Sequence, residues 1–285
     1  MKVVTEAKEL RALIKTYDLS PIGFVPTMGA LHNGHVSLVE TAIQLCPVAV
    51  VSIYVNPTQF NDKNDLKNYP RTLDKDLLLL QKVMRDSDIV FTPEDKEIYP
   101  KDDKRVFDFG NLGNVMEALH RPGHFNGVAQ VVSRLLEIVE PDIAIFGMKD
   151  FQQLAVIKEL VRQTDSKVKI IGNPIVRETD GLAMSSRNVL LGPDIRKNAS
   201  IIFKTLSSAA SLISTSDIPE IKSFVEQNIG KMEGFEVEYF DIVDDTELIP
   251  VKKKSEMQIT NKYFGCIAVR AGNIRLIDNI EIRLV

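Results

Sequence analysis

Apolar positions along the chain fall in two rhythms. Short continuous runs predict buried strands, and positions three and four apart predict helices. Ile22, Phe24 and Val25 lie between Pro21 and Pro26 and read as a short buried strand. Residues 48–55, VAVVSIYV, form a β-branched run suited to a parallel strand covered on both faces. Further strands are expected from Asp88 to Phe91, over 142–147 and over 168–176. Helical spacing predicts a helix over 1–20, with Leu10, Leu13 and Ile14 on one face. A second starts at Asn33, its expected cap, and presents Val36, Leu38, Val39, Ala42 and Ile43. Others are expected over 73–84, 126–139 and 150–163; residues 94–125 look irregular, with RVFDFG a candidate strand. The alternation argues for an α/β fold, a parallel sheet with helices on both faces.

The pattern changes near residue 177. Helices are expected at about 194–214 and 218–229, then strands at 236–243, 263–270 and 273–284, the last broken at Asp278-Asn279. Short turns such as Ala271-Gly272-Asn273 favour an antiparallel sheet. The expected domains are therefore 1–176, a nucleotide-binding α/β domain, and 177–285, a smaller α+β lid domain. Lys252-Lys253-Lys254 reads as a solvated loop.

Composition narrows the function. Of 285 residues 44% are hydrophobic and 26% charged, as in ordinary globular proteins, and a net charge of −4 supplies no general field for nucleic acid. No apolar run is long enough to span a bilayer, and the N-terminal stretch MKVVTEAKELRALI carries acids and reads as an amphipathic helix, unlike a signal peptide. Cys46 and Cys266 lack metal-site spacing and read as small buried thiols. A cytoplasmic enzyme, with neither nucleic-acid nor membrane partner, is expected.

The chemistry concentrates in Pro21 to His35. Thr27-Met28-Gly29-Ala30 forms a tight exit from a strand, and a helix N-terminus follows whose N–H groups suit phosphate oxygens. Gly29 and Gly34 allow close approach. His32 and His35, two of only 4 histidines, aim two imidazoles at one anion and suit charge stabilisation on a polyphosphate; taken alone they are also two surface histidines near a turn.

H-x-G-H in a strand-loop-helix turn resembles the signature of the HIGH nucleotidyltransferase superfamily, and PTMGALHNGH resembles the pantoate–β-alanine ligase family within it. Later motifs extend the resemblance over nearly the whole chain. It implies a Rossmann-like doubly wound sheet with a smaller C-terminal α+β domain, ATP as co-substrate with Mg²⁺ carried on its phosphates, and no metal held by protein ligands alone. Pantoate and β-alanine are the implied substrates and a homodimer the implied assembly.

The implied residues lie after strands, where open parallel sheets bind ligands. Asn56 and Gln59 read locally as loop-satisfying polar groups; V-N-P-x-Q-F resembles the family's pantoate segment, implying that Gln59 contacts pantoate with Tyr54 and Asn56 nearby. Lys149 and Asp150 read locally as an exposed lysine and a helix cap; the family likeness of F-G-x-K-D-x-Q-Q implies that Gly147, Met148, Lys149 and Asp150 bind ATP and Gln153 binds pantoate. The Ser-rich stretch after Gly181 reads locally as a linker; M-S-S-R-N resembles this family's KMSKS loop, implying that Val176 touches adenine and that Met184, Ser185, Ser186 and Arg187 hold phosphates. The absence of the usual lysines weighs against an aminoacyl-tRNA synthetase. R-P-G-H-F-x-G-V adds Arg121 and His124, otherwise a turn before a helix capped by Asn126, with Gln130 facing pantoate. Met28 and Gly29 complete the nucleotide set with His32 and His35. Tyr69-Pro70-Arg71-Thr72 also matches the family. Asp74 and Asp76 are candidate Mg²⁺ partners, but carboxylates on a solvated helix face are the commoner case and both stay outside the site.

The implied reaction is ATP-dependent ligation through pantoyl adenylate, with His35, His32, Lys149 and Arg187 as its catalytic groups. Two other classes remain: another H-x-G-H nucleotidyltransferase, which has no use for V-N-P-x-Q-F, and a nucleotide-sensing module that binds ATP without turnover.

Overall fold

The computed structural model describes residues 1–61 and 63–284. Val285, the end of the expected second domain, lies outside them. Six parallel strands, β1 (Lys2–Val4), β2 (Ile22–Thr27), β3 (Val48–Ile53), β4 (Ile89–Phe91), β5 (Ile143–Gly147) and β6 (Lys169–Asn173), form one sheet in the order β1-β4-β3-β2-β5-β6. The β-branched run of β3 is buried along nearly its whole length because it lies inside this sheet. Val25, Val39, Ala42, Val51, Leu80 and Ile145 belong to one buried cluster on it.

Three strands, β7 (Phe235–Asp244), β8 (Tyr263–Ala271) and β9 (Ile274–Ile282), form the expected antiparallel sheet. The helices Ile201–Leu212 and Ile218–Gly230 bury Leu206, Ala209, Ile221 and Val225 in a cluster with Ile242, Ile267 and Val269 of that sheet.

Two compact units result. The first comprises Met1–Phe109, His120–Met148 and Val156–Pro174; the second comprises Gly110–Leu119, Lys149–Ala155 and Ile175–Val285. The two short segments join the second unit for identifiable reasons. Glu117 makes paired bonds to Arg275 at 2.7 Å and accepts the Tyr239 hydroxyl at 2.8 Å. Gln152 donates to the carbonyls of Leu112 and Val115 and accepts the N–H of Glu117.

Several expected elements differ. Residues 1–20 are not one helix: Lys2–Val4 pairs with Ile89–Phe91 as an edge strand, and the helix is Ala7–Tyr17. RVFDFG is not a strand, because side chains satisfy its backbone. Asn126 accepts from the Phe107 N–H, and Gln130 and Asn126 donate to the Arg105 carbonyl. The helix expected over 194–214 is two, Pro193–Asn198 and Ile201–Leu212. Strand β9 runs unbroken through Asp278-Asn279, both buried.

Candidate active site

The loop after β2 is built from the strand outward. The Thr27 hydroxyl donates to the Ser52 carbonyl at 2.8 Å and accepts the Gly29 N–H at 3.2 Å. Gly29 then takes φ +78, and a β-carbon there would lie 3.0 Å from Asp76 and 3.1 Å from Ile53. Ala30 also has positive φ, 50. This tight geometry is held by Asp76: one carboxylate oxygen accepts the Ala30 N–H at 2.9 Å, the other the Leu31 N–H at 2.8 Å. The Thr72 hydroxyl donates to the same carboxylate at 3.1 Å.

Asp76 is therefore not on a solvated helix face. It is 2% exposed and belongs to the loop it anchors. A signal was present: Asp76 lies four residues before Leu80 on the buried stripe of the helix Leu73–Leu80, and four after Thr72, which binds it.

His32, not Asn33, caps the helix Asn33–Leu45. Its Nδ1 accepts the Gly34 N–H at 3.1 Å, and His35 Nδ1 accepts the His32 N–H at 3.3 Å. The sequence puts a histidine where Ser or Asp is usual, followed three residues later by the second half of a capping box. An Nδ1 that accepts a hydrogen bond carries no proton, so each ring holds its proton on Nε2. The rings are 4.1 Å apart at their centroids. Two Nε2–H donors at a helix N-terminus suit an anion.

Asn173, at the end of β6, braces this turn. It donates to the Ser37 hydroxyl at 3.0 Å, and Ser37 donates to the Gly34 carbonyl at 2.8 Å. Its carbonyl accepts the Met148 N–H at 2.8 Å, which fixes the chain beyond Gly147.

After β3, the turn Pro57–Gln59 carries Gln59, 8% exposed, whose amide nitrogen lies 2.8 Å from the Met28 sulfur. Asn56 is fully engaged: it donates to Gly127 and Gln59 and accepts from Thr58 and the Tyr99 hydroxyl. The Tyr54 hydroxyl donates to Asp95 at 2.9 Å, and burial, then this partner, pushes its pKa far up. Asn56 supports the turn, and Tyr54 ties the end of β3 to Asp95.

The helix His124–Val139 starts behind Gly123, so Asn126 is not its cap. His124 is buried and its Nδ1 donates to the Gln59 carbonyl at 2.8 Å. Gln130 donates to the carbonyls of Asp103 and Arg105. Arg121 is half-buried in the turn before the helix. The first unit thus brings Met28, Gln59 and the supports Asn56 and His124 together.

In the second unit, the Lys149 ammonium lies 3.8 Å from Asp150 and its carbonyl accepts from Asn279 at 3.1 Å. Gln153 is half-buried on the first turn of the helix Phe151–Gln163, and its side chain makes no hydrogen bond among the described residues. Val176 and Met184 are joined by the Met184 N–H to the Val176 carbonyl at 3.0 Å. Ser185, Ser186 and Arg187 are half-buried; the Ser185 hydroxyl accepts the Arg187 N–H at 3.3 Å. Asn188 closes this loop on the Ala183 carbonyl at 3.1 Å. No cluster of three His, Cys, Asp or Glu able to hold a metal ion occurs among the described residues.

A family profile described as Pantoate-beta-alanine ligase matches residues 2–281. The chain is 48% identical over 283 residues to a pantothenate synthetase of Bacteroides fragilis, covering 99% of each. Among solved structures it matches the pantothenate synthetase of Thermus thermophilus with a TM-score of 0.90, 39% identity and full coverage of both chains. It also matches the pantoate-beta-alanine ligase of Francisella tularensis complexed with beta-gamma ATP and beta-alanine, with a TM-score of 0.78, 34% identity and coverage of 98% and 97%.

Proposed function

The chain belongs to the pantoate-beta-alanine ligase family, and from that premise we propose that it joins pantoate to β-alanine with conversion of ATP to AMP and pyrophosphate. A carboxylate does not acylate an amine at neutral pH, because its leaving group is too poor. The reaction therefore runs in two steps. The pantoate carboxylate oxygen attacks the α-phosphorus of ATP, and pyrophosphate leaves. The β-alanine amine then attacks the acyl carbon of pantoyl adenylate, loses a proton, and AMP departs.

One observation carries this reading: both histidines of the capping box turn Nδ1 to the backbone, which assigns the proton to Nε2 in each. Two such donors, fixed before substrate arrives, stabilise charge developing on a phosphate without reorganisation. Lys149, Ser185, Ser186 and Arg187 supply the remaining donors and positive charge toward the phosphates. Gly29, Gly147, Met148, Asp150, Val176 and Met184 complete the nucleotide contacts. Gln59 and Gln153 hold pantoate through their amides, and Arg121 adds positive charge for the phosphates or the substrate carboxylate. Asn56, His124 and Gln130 act by holding the backbone around Gln59 and the facing loop, and Tyr54 lies near pantoate. Bound with ATP, Mg²⁺ would supply charge neutralisation on the phosphates beside the donors named above.

The proposed assembly is a homodimer, which a measurement of the mass in solution tests. The cytoplasm is the proposed compartment: both free cysteines are buried, and no helix among the described residues is long and apolar enough to cross a membrane.

The test is AMP release from ATP, Mg²⁺, pantoate and β-alanine, with each component omitted in turn. AMP requiring both organic substrates, with pantothenate identified by mass, is expected. ATP binding without AMP would instead make the chain a nucleotide sensor.

A further inference from the structure

Asp278 and Asn279 sit in the middle of β9, both 4% exposed. A buried acidic-amide pair inside a strand is costly unless every polar atom finds a partner. The Asp278 carboxylate accepts the Asn279 N–H of its own strand at 2.8 Å, and its remaining partner comes from outside the sheet. Asp278 binds the Arg177 guanidinium through both oxygens, at 2.6 and 3.0 Å. The same guanidinium donates to the carbonyls of Gly181 and Asn279, each at 3.2 Å, and stacks 3.8 Å from the centre of the Phe203 ring. Arg177 pairs with Ala183 as an isolated antiparallel bridge, so it fixes the entry to the Met184–Arg187 stretch. Gly181 fits against Phe203 with no room for a β-carbon, which would come within 2.7 Å of the ring. The next side chain, Asn279, donates to the carbonyl of Lys149 at 3.1 Å.

Two adjacent residues of one strand thus grip two separate segments, one ending at Lys149 and one leading to Arg187. Stability does not demand this arrangement: replacing a buried ion pair by packed apolar side chains is often neutral or stabilising. We propose that Asp278 and Asn279 are positioning residues for adenylation, with Asp278 setting the Arg177–Arg187 loop through Arg177 and Asn279 setting Lys149 through its carbonyl. The proposal rests on the reading that Lys149 and Arg187 serve the ATP phosphates. Neither Asp278 nor Asn279 touches substrate. They set where the two cations stand, and displacement of a charged group by an ångström is enough to lower a rate by about a hundredfold.

The experiment uses the full chain with Asn279→Asp, which keeps the shape but removes the donor to Lys149, together with Asn279→Ala, Lys149→Ala and the double variant Lys149→Ala/Asn279→Asp. The readouts are pantoate-dependent exchange of pyrophosphate into ATP, the KM of each substrate and Tm. Lys149→Ala is expected to lower exchange strongly. Both Asn279 variants, assayed at a temperature where they are folded, are expected to lower the exchange rate by about tenfold or more, with the pantoate KM within about twofold; Tm is expected to fall in both, further in Asn279→Asp, which buries a second carboxylate beside Asp278. The double variant is expected to cost no more than Lys149→Ala alone, because Asn279 acts through that residue. Normal exchange in Asn279→Asp beside an impaired Lys149→Ala would overturn the positioning role while leaving the phosphate reading intact, as would additive losses. Normal exchange in Lys149→Ala would overturn the phosphate reading of that residue and the role of Asn279 with it.

Discussion

The carboxylate of Asp76 accepts the backbone N–H of Leu31 at 2.8 Å, and its second oxygen accepts that of Ala30 at 2.9 Å. One side chain thereby fixes the two residues immediately before His32. Asp76→Ala would remove the carboxylate that accepts both N–H groups of this half-buried loop and open a cavity beside Gly29. A loss of about 1–3 kcal/mol per hydrogen bond removed is the ceiling. We expect a Tm drop of several degrees and a fall in adenylate formation of at least tenfold at a temperature where the variant is folded. Wild-type turnover in folded Asp76→Ala would show that the loop holds its geometry without this anchor.

His35→Ala removes an Nε2–H donor and the acceptor for the His32 N–H. Loss of the helix-end bond costs about 1 kcal/mol, which lowers Tm modestly. Loss of a preorganised donor costs roughly 10² to 10³ in rate. The second effect dominates, so pantoate-dependent pyrophosphate exchange should collapse while circular dichroism stays native. A rate loss no larger than the stability loss would assign His35 a capping role alone.

The strand-loop-helix turn, the parallel sheet and the antiparallel sheet were legible because each rests on local periodicity or a short motif. Val48–Ile53 shows its double burial in its β-branched run, and Phe235–Asp244, Tyr263–Ala271 and Ile274–Ile282 are joined or spaced as antiparallel strands are. What escaped depends on contacts distant in sequence. Lys2–Val4 is a strand only because β4, far along the chain, offers it an edge. Asp278-Asn279 looks like a strand break until Arg177 and the Lys149 carbonyl are supplied from elsewhere. Asp76 looks solvated until the loop of Ala30 and Leu31 is folded over it.

Gln59→Ala separates substrate binding from nucleotide chemistry. The Gln59 amide lies against Met28 and Asn56, and its removal spares the backbone bond from His124 to the Gln59 carbonyl. The turn should survive. Pantoate KM should rise about tenfold or more, in line with about 1.5 kcal/mol for a lost hydrogen bond, with ATP KM unchanged within twofold. An unchanged pantoate KM would remove Gln59 from the substrate set.

Both cysteines are buried, and burial raises both thiol pKa values by penalising the thiolate. The thiolate is the reactive form, so its fraction at pH 8 falls below that of a free thiol. Native protein should react slowly with a thiol reagent at pH 8, whereas two thiols should titrate at once in guanidinium chloride. Rapid native labelling at pH 8 would contradict the packing of Cys46 and Cys266.

Gly127→Ala distinguishes helix propensity from packing. In a helix interior alanine is favoured over glycine by about 1 kcal/mol, so propensity alone predicts stabilisation. Here a β-carbon would lie 2.5 Å from the Thr58 carbonyl oxygen and 2.9 Å from the Gln59 Cα. Those atoms are backbone and cannot rotate aside. The turn is also tied from both ends, by Asn56 donating to the Gly127 carbonyl and by His124 donating to the Gln59 carbonyl. Overpacking of this kind costs about 1–3 kcal/mol, which outweighs the propensity gain. The variant should melt several degrees lower and bind pantoate more weakly, because the clash displaces Gln59 itself. A Tm above wild type would mean that the helix and the Pro57–Gln59 turn separate easily, and that Gln59 is not held rigidly in place before pantoate binds.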